Sequence, residues 1–226
     1  MAGLIRESDV RVTMGEPGAW QWRTVAALPE RYAWSIVTND LPNHYLFDGA
    51  VVRAFVGARS VSADASPQAA LRTHARFVAV ANLDLLRVAG APVRVTPFAE
   101  PSGTRLEVVF TDRDDRYEVW LDGDDLVRRV EGPIDLAPLV RGRLVATYDD
   151  FAPVDGRRLA RQIRYEVDGN ALAQERVTGA CVLAEPLPAT VFASPAGLPA
   201  CPETRSPGWW RPSCRAAWCR PTRRRP

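Results

Sequence analysis

His44 and His74 are the only two histidines of the chain, and imidazole is the side chain best suited to move protons near neutral pH. His44 falls at the start of a predicted strand and His74 on a predicted helix between Arg72 and Arg76. They share no metal-ligand spacing, and both read as surface or rim residues. Carboxylates cluster at Asp112, Asp114 and Asp115, at Asp122, Asp124 and Asp125, and at Asp149 and Asp150. Paired acids can do acid–base work or hold a hard cation. All three clusters lie in predicted turns, where aspartate bonds its local backbone, so a turn role is expected. Of the four cysteines, Cys214 and Cys219 lack zinc-knuckle spacing and Cys181 stands apart from Cys201 and the other two, so no internal disulfide is expected in the body of the fold. There is no nucleophile elbow, phosphate loop, dinucleotide fingerprint or zinc-protease helix motif. The inventory predicts no catalytic residue, no metal site and no cofactor.

The aromatic and aliphatic residues are more informative. Tyr32, Trp34, Ile36, Tyr45, Phe47, Val108, Phe110, Tyr148, Ile163 and Tyr165 recur at alternating positions of predicted strands. They can converge on one concave surface, either as a core packed on a helix or as the wall of an apolar ligand cavity. Tyrosine and tryptophan are favoured where one end of a ring meets a polar atom. One stretch, Ser66 to Arg87, has helical instead of alternating periodicity: Leu71, Ala75, Val78, Asn82 and Leu85 fall at steps of three and four. Ser66 suits the N-cap, Pro67 the first turn, and Gly90 with Pro92 a stop. Phe77 and Leu85 then line the underside of a helical lid.

Around that helix the sequence predicts roughly ten strands. Turns at Asp48-Gly49, Asp122-Gly123 and Asp168-Gly169 punctuate them, and Gly132-Pro133 with Pro138 reads as an irregular crossing. The expected class is mainly β, a curved antiparallel sheet or open half-barrel covered by a helix. The 226 residues hold 46% hydrophobic and 25% charged side chains, ordinary for a globular protein. Every basic residue is arginine, and seven of the arginines follow residue 196 beside a single glutamate. The net charge of +2 therefore conceals a mildly acidic body with no basic footprint for nucleic acid. No apolar run reaches the roughly 18 residues of a transmembrane helix. The N-terminus as written has no signal-peptide pattern and begins almost inside a strand, as a truncated start would. From Pro186 the chain turns rich in Pro, Arg, Trp and Cys, which predicts a domain over 1–196 and a disordered tail over 197–226.

Three stretches resemble one family: ERYAWSIVTN with HYLFDGAVVRAF (30–39 and 44–55), DDRYEVWLDGDDLVRRVEG (114–132) and TYDDFAPVDGRRLARQIRYEVDG (147–169). Together they are similar to the LolA-like outer-membrane lipoprotein-sorting superfamily, over about residues 4–192. That resemblance implies a half-barrel capped by helices around an apolar cavity for acyl chains. It also implies a location in the periplasm or cell envelope, and envelope membrane proteins as donor and acceptor. Asp48-Gly49, Asp122-Gly123 and Asp155-Gly156 match as structural turns, and no catalytic residue carries over. The expected function is non-catalytic binding or carriage of a lipid or lipoprotein acyl chain. The alternatives are an envelope sensor or protein-interaction module using the same cavity, and a cofactor-independent enzyme.

Overall fold

A computed structural model describes residues 3–14, 17–27, 31–38, 41–61, 65–83, 91–112, 114–136, 140–183, 185 and 187–201. Its strands are β1 (Gly3–Val12), β2 (Gly18–Ala27), β3 (Arg31–Thr38), β4 (Leu41–Phe47), β5 (Val52–Val56), β6 (Arg59–Val61), β7 (Val93–Glu100), β8 (Gly103–Phe110), β9 (Arg116–Leu121), β10 (Val127–Leu136), β11 (Val140–Val154), β12 (Arg157–Val167) and β13 (Asn170–Leu183). One helix, α1 (Ala65–Ala81), interrupts them between β6 and β7. All 13 strands form one open antiparallel sheet. The order along it is β6-β5-β4-β3-β2-β1-β13-β12-β11-β10-β9-β8-β7. The first and last strands therefore pair with each other, and β13 is the central strand. This is the curved, helix-covered antiparallel half-barrel that the alternation predicts.

Thirteen strands form where roughly ten are expected, and some residues that read as breaks lie inside a strand. Gly132-Pro133 is one such place. It lies inside β10, paired with Leu144 and Arg143 of β11. A Cβ at Gly132 would meet the Tyr117 ring at 2.2 Å, so glycine here admits the aromatic ring of β9.

The concave face carries the main core. Tyr32, Phe47 and Val52 pack under Leu71, Ala75 and Val78 of α1. Phe77 and Val80 pack with Val108, Phe110, Tyr117, Val130, Tyr148, Ile163 and Tyr165 on the other half of the sheet. α1 ends earlier than the expected Arg87. The Asn82 side-chain amide donates to the Val78 carbonyl at 2.9 Å, and Leu83 takes a left-handed φ of 56°. Leu85 lies outside the described residues.

The convex face is also covered, which the sequence does not predict. Ile5, Val25, Ala27, Ala33, Leu46 and Phe55 pack around the fully buried Phe192, which sits on a short 3-10 helix at Ala189–Ala193. The segment then runs through a second 3-10 turn, Pro195–Gly197, to Cys201, which forms a disulfide with Cys181 of β13. The expectation that Cys181 has no partner is thus corrected. Gly197–Cys201 of the stretch assigned to the tail belong to the folded body, and residues 202–226 lie outside the described part. Pro188, Pro195 and Pro199 lie within this packed strap, whose regular structure is limited to the two 3-10 turns. Arg23 donates to the Pro199 carbonyl and Arg31 to the Leu187 carbonyl, which satisfies carbonyls that the strap has no ladder to pair. Both histidines are buried instead of rim residues: His44 sits on the convex side, bonded to Ser35 Oγ at 2.8 Å through Nδ1, and His74 sits beneath α1.

Candidate binding cavity and its polar floor

Alternation on β1 sends Leu4, Arg6, Ser8, Val10 and Val12 to the concave face, and on β13 it sends Ala173, Glu175 and Val177 there. Two charged residues thus enter an apolar face on adjacent central strands. Burial of isolated charges is costly, so they pair. Arg6 Nε lies 2.9 Å from Glu175 Oε1, and the Glu175 side chain is only 1% exposed. That contact is an ion pair whose N–H is not aligned for a hydrogen bond. The carboxylate is instead saturated by hydroxyls: Ser8 Oγ donates to Oε1 at 2.6 Å and the Tyr165 hydroxyl to Oε2 at 2.5 Å. Burial opposes the charge on Arg6, but Glu175 and the nearby tyrosines outweigh it and hold the guanidinium cationic. Burial pushes the hydroxyls of Tyr32, Tyr148 and Tyr165 well above the ordinary phenol range.

His74 reaches this region from α1. Its ring stacks on Trp34 at 4.9 Å and meets Tyr32 edge-on at 5.4 Å. Burial, reinforced by the charge of Arg6, lowers its pKa to about 4, so the imidazole is neutral at pH 7. Trp22 stands edge-on to Trp34 at 5.3 Å and tilted against Tyr165 at 6.1 Å. Within this group Trp22 Nε1, Trp34 Nε1, the Tyr32 hydroxyl and His74 Nδ1 are buried with no hydrogen-bond partner among the described residues.

Two cavities flank the polar centre. One, of about 390 Å³, lies between the end of α1 (Ala81, Asn82, Leu83), the β9–β10 turn and the concave side of β1, β11, β12 and β13. Its walls include the apolar Leu4, Leu126, Phe151, Leu159, Ala160, Ile163 and Val177, and the polar Arg6, Asn82, Asp125, Tyr148, Arg157 and Arg158. That volume lies in the roughly 300–1,000 Å³ range of small-molecule sites. The other, an open groove of about 1250 Å³, is lined by Val10, Val12, Trp20, Val37, Ile163 and Glu175 among others. Arg6 lines the first and Glu175 the second, so their ion pair stands between the two.

α1 is fastened across the sheet by a buried arginine. Arg76 Nη1 donates to Asp115 Oδ2 at 2.9 Å, Nη2 donates to Asp112, and the guanidinium lies over the Phe110 ring at 4.4 Å. Two of the turn acids thus anchor the helix. Asp122 behaves as a turn residue, accepting the backbone N–H groups of Asp124 and Leu126.

Of the residues expected to line a cavity, Tyr32, Phe47, Phe77, Val108, Phe110, Tyr148, Ile163 and Tyr165 are buried on the concave side, with Trp34 and Tyr45 packed at its edge. Ile36 is half-buried opposite Trp22. Only Tyr148 and Ile163 border the 390 Å³ cavity. Sequence reasoning missed Arg6, Ser8, Trp22 and Glu175. The readable signal was a charge at an inward register position on each of two apolar strands. Among the described residues no group of three His, Cys, Asp or Glu side chains is placed to hold a metal ion, and no helix is long and apolar enough to cross a membrane.

No protein-family model and no curated protein matches the sequence. Solved structures do match in shape. A LolA superfamily protein from Nitrosomonas europaea superposes with a TM-score of 0.56 at 11% identity, covering 85% of this chain and 90% of its own. A DUF1329 family protein from Desulfovibrio piger gives 0.52 at 14% identity, covering 84% and 89%. At such identities the likeness concerns backbone architecture, and it spans nearly the whole of each partner. The chain therefore has a LolA-like fold.

Proposed function

We propose that this protein binds or carries an acyl chain of a lipid or lipoprotein in the cell envelope, without catalysis. The carrying observation is the cavity between the end of α1 and the apolar wall of β11–β13. Each methylene moved from water into such a site gains about 0.8 kcal/mol. Transfer then needs no chemistry, only a helix that moves aside and partner membrane proteins that donate and accept the chain. The LolA-like fold supports this reading, as does the Cys181–Cys201 disulfide, since such bonds persist in oxidising compartments like the periplasm. The lowered pKa of His74 is the feature that most favours an enzyme. Its ring neighbours are Trp34 and Tyr32, neither of them an activated nucleophile, and the one buried carboxylate among the described residues, Glu175, is already engaged by Arg6, Ser8 and Tyr165.

Native mass spectrometry of the full chain tests the proposal. Wild type is expected to co-purify with, or take up, an acyl-bearing species. Ala160→Trp, which fills the cavity from its wall, is expected to lose it while unfolding at the same temperature. A folded wild-type protein that carries nothing and takes up no monopalmitoylglycerol would refute acyl binding. Substituting Phe110 would be a poor test, because that ring is fully buried against Tyr117 and its loss would disrupt the core.

A further inference from the structure

An apolar chain alone would be served by an apolar floor, yet the centre of the concave face is lined with polar atoms that lack partners. Trp22 Nε1, Trp34 Nε1, the Tyr32 hydroxyl and His74 Nδ1 are buried and have no hydrogen-bond partner among the described residues, in one continuous aromatic cluster. Tyr32 is 1% exposed and His74 8%, and both tryptophans are half-buried. Leaving a buried polar atom unsatisfied is costly, and native interiors keep few such groups. Four together mark a place where a polar partner enters.

The chemistry of the cluster selects that partner. Both indoles can only donate, and the phenol is a donor held in its protonated form. Among the described residues the carboxylate nearest the cluster is occupied by Ser8 and Tyr165 and neutralised by Arg6, so the two indoles and the phenol present donors without net charge. An uncharged, acceptor-only group fits, because Arg6, the cation beside the cluster, is already paired with Glu175. Arg6 joins this centre to the cavity: it lines the cavity and pairs at 2.9 Å with Glu175, which accepts from the Tyr165 hydroxyl, and the Tyr165 ring meets Trp22 at 6.1 Å. A ligand with its chain between α1 and β11–β13 therefore has its linkage end near the aromatic cluster.

We infer that Tyr32, Trp34 and Trp22 form a carbonyl-binding site that recognises the ester of an O-acyl chain, reached when α1 draws His74 off Trp34. This inference rests on the acyl-binding reading and adds which atom of the ligand is read.

The test compares two ligands of equal chain length on the full protein: 1-monopalmitoylglycerol, which has the ester carbonyl, and 1-O-hexadecylglycerol, its ether counterpart. Affinities are read by displacement of a fluorescent fatty-acid probe. Wild type is expected to prefer the ester at least about tenfold, the equivalent of roughly one well-made buried hydrogen bond. In Tyr32→Phe and Trp34→Phe, which keep a ring and remove a donor, the ester-to-ether ratio is expected to fall toward one. Equal wild-type affinity for the two ligands would overturn the carbonyl site and leave acyl binding standing. A wild-type preference undiminished in both variants would also overturn it. Failure of both ligands to bind would instead refute the acyl-binding reading itself.

Discussion

Acidifying the protein should destabilise it through one residue whose contribution can be isolated. His74 has a folded-state pKa of about 4, lowered by burial and by Arg6, against about 6.5 in an unfolded chain. As pH falls from neutrality the unfolded chain takes up this proton first, so acid favours unfolding. The stabilisation is fully present above pH 6.5 and is lost progressively down to about pH 4. With these two values the loss is about 2 kcal/mol at pH 5 and about 3 kcal/mol at pH 4. His44, also lowered by burial and by Arg23, acts with the same sign, so a comparison is needed. His74→Phe keeps a ring against Trp34 and Tyr32 and removes the titration. Urea unfolding of both proteins from pH 7.5 to 4 should show wild type losing about 2 kcal/mol more than the variant by pH 5. Parallel curves would refute the reasoning, because they would mean that protonated His74 is accommodated in the fold.

Two further predictions concern the frame around the site. Cys201→Ser opens a link that spans 20 residues, and chain-entropy arguments put the loss at about 3 kcal/mol; denaturant midpoints of wild type should fall to the variant's value when reductant is added. Gly132→Ala places a methyl inside the contact distance of the Tyr117 ring, so overpacking should lower stability by about 1–3 kcal/mol in thermal or urea unfolding.

The sheet was legible because period-two alternation and Asp-Gly turns are local signals, and the LolA-like stretches added the curvature. Tyr32, Phe47, Phe110 and Ile163 were readable as inward residues for the same reason. Other features depend on distant parts of the chain. Pro199 looks like tail until Arg23 meets its carbonyl across more than 150 residues. Cys201 looks unpaired until the strap crosses the convex face. His74, between two arginines on a helix, looks solvated. Arg72 lies over the Phe47 ring and Arg76 turns inward to Asp112 and Asp115, which leaves His74 covered between them. Helical periodicity reports a stripe of apolar positions, and it does not report which polar neighbours of that stripe are buried with it.

The burial of His74 and the orphaned donors beside it bear on how α1 would open. With the helix closed, Trp34, Trp22, Tyr32 and His74 each forgo a hydrogen bond that water would supply, and the imidazole forgoes a proton that it would hold in mild acid. These terms favour displacement of the helix. Opposing them are the apolar contacts of Leu71, Phe77, Val78 and Val80 and the clamp of Arg76 on Asp112 and Asp115. A lid that must both seal a cavity and release it needs terms of both signs, because a helix held by apolar packing alone would be closed too firmly to exchange ligand. The polar floor thus has a physical role under the proposed function: it lowers the free energy of opening, and a ligand carbonyl that satisfies it replaces what closure costs.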